Sequence, residues 1–333
     1  MNYRERVITT LSHRQPDMIP YHIEFTSKIM PRMVEFYGGS EFISKLGNCL
    51  TVLGCEPVHS WQEVSPNIWR DQFGVEWDQH VDKDIGVVCN RLVTPANLNE
   101  YHFPNPDDPT RYQDYQKHSD PSNHYIVVNF GFNLFERAWT LAGEENILMG
   151  MIDNKPFVHS LMDKVLDFNL RIIRNVCKYN IDAMMFGDDW GYQRGVVMGP
   201  KLWREFIKPR VREMYQAVKA YGKRVFIHSC GKVDELFPDL IECGIDVFNP
   251  FQPEVINVYE VKQKFGDRLA FFGGISTQSL LPYGTVNEVK DQVKRLLELI
   301  GKNGGYIAAP AHSIPGDAKP ENVAAMIEIL QNQ

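Results

Sequence analysis

No run of about 18 apolar residues occurs anywhere in the sequence, which excludes a transmembrane helix. Blocks of Lys or Arg are also missing: 35 basic residues stand against 42 acidic ones, a net charge of −7. That balance disfavours a nucleic-acid surface or an anionic membrane as partner. The opening MNYRERVITTLSHRQ reads as a charged amphipathic helix and lacks the apolar stretch and small-residue cleavage site of a secretory signal, so a cytoplasmic protein is expected. Six cysteines (Cys49, Cys55, Cys89, Cys177, Cys230, Cys243) lie without framework spacing, and reduced, mostly buried thiols are expected. There is no internal repeat, no low-complexity tract and no GxGxxG after an early strand. What is abundant is apolar content: 44% of the residues are hydrophobic and 23% charged, which excludes disorder and allows a sizeable core.

From residue 181 onward, short β-branched or aromatic runs alternate with amphipathic stretches. The runs are 183–189, 224–230, 246–251, 269–274 and 305–310; the helical stretches are 200–221, 233–244, 255–266 and 285–302. Each helical stretch ends near a glycine (Gly222, Gly244, Gly266, Gly301), the usual residue for leaving a helix with positive φ. Earlier segments add strands at 19–25, near 52 and at 125–130, with helices near 133–142 and 155–179. Eight parallel strands with helical crossovers predict an α/β fold, a (β/α)8 TIM-type barrel, with a doubly wound open sheet as the alternative. The chain reads as a single barrel domain over 1–333 with an insertion, 57–124, packed at the barrel mouth. Within it, 71–93 reads as a β-hairpin and 101–112 as a loop. Trp61, Trp69, Phe73 and Trp77 form an aromatic cluster there, either the core of the insertion or one wall of a pocket.

Catalytic groups of such barrels sit at the C-terminal ends of the strands. Those positions hold His22, Glu24, Asn129, Asp188, Asp189, His228, Cys230, Asn249, Gln252 and His312. Any one of these could instead cap a helix or shape a turn; as a set they converge on one mouth. His228 and Cys230 are two residues apart at a strand end, so both side chains point the same way. Zinc favours Cys sulfur and His nitrogen and keeps an open position in catalytic sites, and His312 after the last strand is the natural third ligand. The alternative is a hydrogen-bonded mouth histidine beside a small buried thiol. Asp188 and Asp189 cannot both face one direction in an extended chain; one of them, with Glu24, is a candidate for proton transfer or substrate positioning. His22, Asn129, Asn249 and Gln252 are the candidate substrate-binding residues.

The blocks FIHSCGKVDELFPDLIECGIDVFNPFQPE (226–254), FGDDWGYQRGVVMGPKLWREFIKPR (186–210) and GGYIAAPAHSIPGDAKPENV (304–323) resemble the uroporphyrinogen decarboxylase superfamily, in that family's order. DQFGVEWDQ (71–79) and YHFPNP (101–106) strengthen the resemblance. It implies a (β/α)8 barrel and one of two chemistries. True uroporphyrinogen decarboxylases hold an acidic tetrapyrrole with an arginine-rich Arg-Gln-Ala-Gly-Arg-Tyr stretch; here the corresponding segment is IPYHIEFTSKIMPRM (19–33), with Glu24 near where basic residues are wanted. The branch more similar to this chain comprises cobamide-dependent methyltransferases, whose HxC motif and later Cys bind zinc. His228-Ser229-Cys230 matches the motif, and His312 stands where the later Cys is expected.

The resemblance therefore implies a zinc-dependent methyltransferase, moving a methyl group between a small molecule and a corrinoid carried by a partner protein. An O-methyl aromatic compound or a thiol is the expected methyl donor or acceptor, and a homodimer is one arrangement open to it. The alternatives are a metal-free decarboxylase or lyase on a smaller carboxylic acid, and a non-catalytic tetrapyrrole- or corrinoid-binding protein.

Overall fold

The computed structural model describes residues 1–81, 83, 85–113, 115 and 123–333. Seven parallel strands form one sheet in sequence order: β1 (Leu50–Gly54), β2 (Tyr125–Phe130), β3 (Ala183–Gly187), β4 (Arg224–His228), β5 (Val247–Asn249), β6 (Ala270–Ile275) and β7 (Tyr306–Pro310). The eighth expected strand, 19–25, is not a ladder. It carries two isolated parallel bridges, Tyr21 to Ala308 and Phe25 to Ile314. The cause is local: the Asn48 side chain takes both the N–H and the C=O of Ile23, at 2.8 and 2.9 Å, groups that a neighbouring strand would otherwise pair. The segment still joins the two sheet edges, because the His22 N–H donates to the Ala308 carbonyl and the Cys49 N–H to the Tyr21 carbonyl, both at 3.0 Å.

Helices α1 (Tyr3–Leu11), α2 (Met30–Tyr37), α3 (Phe135–Ala142), α4 (Glu144–Asp153), α5 (Lys155–Val176), α6 (Lys208–Lys219), α7 (Phe237–Cys243), α8 (Val258–Phe265), α9 (Val286–Leu299) and α10 (Pro320–Gln331) accompany the strands. Helix α9 shows why the sequence folds as it does. Thr285 and Glu288 form a reciprocal capping box at its start, and Val289, Val293 and Leu296, at spacings of four and three, bury one face. Of the four expected glycine exits, Gly222 and Gly244 are left-handed, whereas Gly266 leaves its helix with φ −68°. Gly301 serves close packing instead: a Cβ there would stand 2.8 Å from the Ile19 side chain.

Alternate residues of the strands fill the interior. Leu50, Tyr125, Val127, Ala183, Phe226, Val247, Ala270, Phe272, Ile307 and Ala309 form one buried cluster, which α1 plugs from the N-terminal end of the strands with Val7 and Leu11. The opposite, C-terminal end is left open as a mouth. A larger cluster fills the space between strands and helices.

The insertion is more than the expected hairpin. Gln62–Ser65, Ile68–Arg70, Glu76–Asp78 and Val87–Val88 form a four-stranded antiparallel sheet that begins upstream of 71–93. Asp82, Asp84, Asp114 and residues 116–122 of the 57–124 segment lie outside the described residues. A buried ion pair ties the sheet to α3: Arg137 Nη1 donates to Asp71 Oδ2 at 2.9 Å, and Asp71 Oδ1 accepts the N–H groups of Phe73 and Val75. The Arg137 guanidinium also lies 3.8 Å over the Phe73 ring, and Phe73 packs on Phe168 of α5.

Candidate metal centre

Strand β4 ends at His228, and the chain turns at Ser229-Cys230-Gly231. The turn is pressed against the loop after β3: a Cβ on Gly231, whose φ is +85°, would lie 2.3 Å from the Gly191 carbonyl group, so only glycine fits. The Trp190 N–H donates to Ser229 Oγ at 3.0 Å, and the Cys230 N–H donates to Asp189 Oδ1 at 2.8 Å. These bonds hold Cys230 where its Sγ is 3.4 Å from His228 Nε2. His312, just beyond β7, meets the His228 ring edge-on at a centroid distance of 5.6 Å. One donor atom from each of His228, Cys230 and His312 lies within 4.8 Å of the others. Tetrahedral zinc, with bonds of about 2.0–2.3 Å, needs donor–donor edges of roughly 3.3–3.8 Å, so small side-chain adjustments close the set.

The protonation pattern suits a metal. The Phe272 carbonyl can only accept, so Asn249 turns Nδ2 to it, at 3.0 Å, and its Oδ1 faces His228 Nδ1 at 2.5 Å. His228 Nδ1 therefore carries the proton, and Nε2 presents its lone pair beside Cys230. Burial, with His228 beside it, pushes the His312 imidazole down, favouring the neutral, ligating form. Burial, with Asp189 close by, pushes the Cys230 thiol up, so binding a metal here would release its proton.

Two cavities meet at this triad. The inner one, about 320 Å³, lies in the mouth and is lined by His22, Glu24, Asn129, Glu136, Asp189, His228, Asn249 and His312, with Phe132, Phe272 and Met185 as its apolar wall. The outer one, about 910 Å³, is bordered by Cys230, Gly231, Gln252, Tyr192, Arg194 and Thr277 and shares His312 and Ser313 with the first.

The sequence-selected residues divide accordingly. His22, Glu24, Asn129, Asp189, His228, Asn249 and His312 converge on the inner cavity. Gln252 faces the outer one, where its Oε1 accepts the Gly231 N–H at 3.4 Å. Asn249 borders the cavity, but its amide is taken up by His228 and Phe272. Asp188 is turned away: it is 1% exposed and accepts from the N–H groups of Phe135 and Glu136 and from the Trp190 indole at 2.6 Å, capping α3. Burial pushes its carboxyl up to about 6 against those three donors. Glu24 Oε2 accepts from Ser313 Oγ at 3.1 Å. His22 Nδ1 is buried with no hydrogen-bond partner among the described residues, and burial pushes that imidazole down to about 4.

Glu136 escapes a reading confined to strand ends, because it lies in the first turn of α3, six residues past β2. Burial, reinforced by Asp189 and Asp188, pushes its carboxyl well up. Phe132, with a left-handed φ of 47°, and Phe272 supply the aromatic wall. The tryptophans stay behind: Trp77 is buried, with its ring 5.0 Å from that of Phe132.

A uroporphyrinogen decarboxylase of Pseudoalteromonas translucida is 26% identical over 205 residues, covering 58% of this chain and 56% of its own. The methylcobamide:CoM methyltransferase MtaA of Methanosarcina barkeri is 27% identical over 131 residues, covering 39% and 36%. The chain thus spans about half the length, or less, of these curated relatives. A methyltransferase structure from Methanosarcina mazei superposes with a TM-score of 0.73 over 100% of this chain and 99% of its own at 16% identity, a likeness of fold. The uroporphyrinogen decarboxylase (URO-D) family description matches residues 136–333, which carry β3 to β7, His228, Cys230, His312 and Glu136; the chain belongs to that family.

Proposed function

We propose that the protein is a zinc-dependent methyltransferase that moves a methyl group between a small molecule and a corrinoid protein. The observation that carries the reading is the His228–Cys230–His312 triad, set between two cavities at the barrel mouth. Two nitrogens and one sulfur suit zinc, and three ligands leave a position open. Bound there, zinc supplies Lewis-acid stabilisation of negative charge on the substrate heteroatom. The chain's residues do the rest: Asn249 fixes the His228 tautomer, Asp189 positions the Cys230 backbone, and the apolar wall of the inner cavity limits water around the methyl group. The outer cavity is the approach for the corrinoid. The methyl would pass as a cation equivalent: towards the corrinoid, the heteroatom would keep the carbon–heteroatom pair and reduced cobalt would supply the new one; from the corrinoid, cobalt would keep the cobalt–carbon pair and the heteroatom would supply the new one.

Decarboxylation of a polycarboxylate fits less well. Among the described residues lining the inner cavity there is no Lys or Arg, whereas Glu24, Glu136 and Asp189 are all present. Such a substrate would leave its charge unpaired.

The reading is tested by incubating the zinc-loaded chain with methylcobalamin and 2-mercaptoethanol and following loss of the cobalt–methyl absorption. Turnover that disappears in His228→Ala is expected. A zinc-loaded chain that neither demethylates methylcobalamin nor methylates reduced cobalamin from a methyl ether contradicts it.

A further inference from the structure

We propose that the inner cavity selects a small molecule bearing an amine and turns away anionic ones. The inference rests on the metal reading above and adds the class of substrate. Three carboxylates, Glu24, Glu136 and Asp189, line a space of only about 320 Å³, and no Lys or Arg lines it among the described residues. Zinc with the Cys230 thiolate brings one net positive charge against Glu24 and Asp189, while burial holds Glu136 toward its neutral form. Two of the carboxylates stand close to the metal position: Asp189 Oδ1 is 4.0 Å from His228 Nε2, and Glu24 accepts from Ser313, next to His312.

The remaining lining suits an organic cation. Phe132 and Phe272 line the cavity, and ammonium groups are held by carboxylates together with aromatic rings. The buried Nδ1 of His22, which has no partner among the described residues, gives a bound molecule one further polar contact. A ligand with an ammonium at one end and a sulfur or oxygen at the other would reach the carboxylates and the metal together. A sulfonate, carboxylate or phosphate in that place would be repelled without a compensating donor cation.

Calorimetric titration of the zinc-loaded full chain at neutral pH tests this with three thiols of equal length: cysteamine, 2-mercaptoethanol and 2-mercaptoethanesulfonate. Cysteamine is expected to bind at least about tenfold more tightly than the sulfonate, with the alcohol between, as one uncompensated charge about 5 Å away dictates. Glu24→Gln is expected to narrow the gap with zinc content unchanged, and Asp189→Asn, which keeps an acceptor for the Cys230 N–H, provides the same test should the first variant fold poorly. Equal affinities, the reverse order, or no binding of cysteamine to a zinc-loaded chain overturns the proposal. Absence of zinc would count against the metal reading alone. The charge preference is then read from the melting temperature of the metal-free chain at equal ionic strength. Stabilisation by choline and not by methanesulfonate supports it, and any other pattern overturns it.

Discussion

His228 is held by Asn249: the imidazole Nδ1 lies 2.5 Å from the amide oxygen, whose own nitrogen is fixed by the Phe272 carbonyl. One residue of β5 thereby sets which nitrogen on β4 is free to bind a metal. Asn249→Ala removes the orienting acceptor and leaves the imidazole free to rotate and change tautomer. Zinc affinity is expected to fall about 10–100-fold, as for other outer partners of metal-binding histidines. Competition against a chromophoric chelator measures it, and an unchanged affinity would remove Asn249 from the account.

The two adjacent aspartates should respond in opposite ways. Asp188 caps α3 from a buried position, so Asp188→Asn places an NH2 group against donors and is expected to cost about 1–3 kcal/mol in stability. Asp189→Asn keeps an acceptor for the Cys230 N–H and should alter stability little, while weakening the binding of amines. Urea denaturation separates them; equal losses would contradict the assignment.

Arg137 and Asp71 form a pair with side chains 4% and 3% exposed. Removing one partner strands a buried charge, so Asp71→Ala is expected to cost about 3–5 kcal/mol. Because the pair joins the inserted sheet to α3, loss should show as faster proteolytic cleavage between residues 60 and 90. Unchanged cleavage would mean that aromatic packing alone docks the insertion.

Much of the barrel is legible in the sequence, because strands buried on both faces read as short apolar runs and the helices between them carry an amphipathic stripe. β3 to β7 match the segments that periodicity selects, β6 alone running one residue past its segment. The 19–25 segment is apolar enough to suggest a strand, but the sequence does not reveal that Asn48 occupies the backbone of Ile23. His228 and Cys230 stand out since neighbours one pleat apart at a strand end share a direction, and β7 brings His312 to them. Glu136 does not stand out: nothing in the spacing shows that the first turn of α3 bends over the mouth. The choice between Asp188 and Asp189 is likewise tertiary, decided by where the N-terminus of α3 lies.

Lys262 offers a pH test far from the triad. Its Nζ donates to the Gly304 and Gly305 carbonyls, at 2.5 and 3.3 Å, and burial pushes the amine down to about 8. An unfolded lysine titrates near about 10.4, so between about pH 8 and 10.4 the unfolded chain holds more protons and stability rises with pH. The stability difference, wild type minus Lys262→Met, is expected to grow by roughly 2 kcal/mol between about pH 7.5 and 10. A flat or falling difference would show that the amine is not desolvated.

The central claim is the metal centre, and elemental analysis of the purified, untagged protein beside Cys230→Ala tests it most directly. Near-stoichiometric zinc in the wild type that disappears in the variant is the result expected of a His228–Cys230–His312 site. Equal, negligible metal in both proteins would contradict it and move a metal-free lyase to first place.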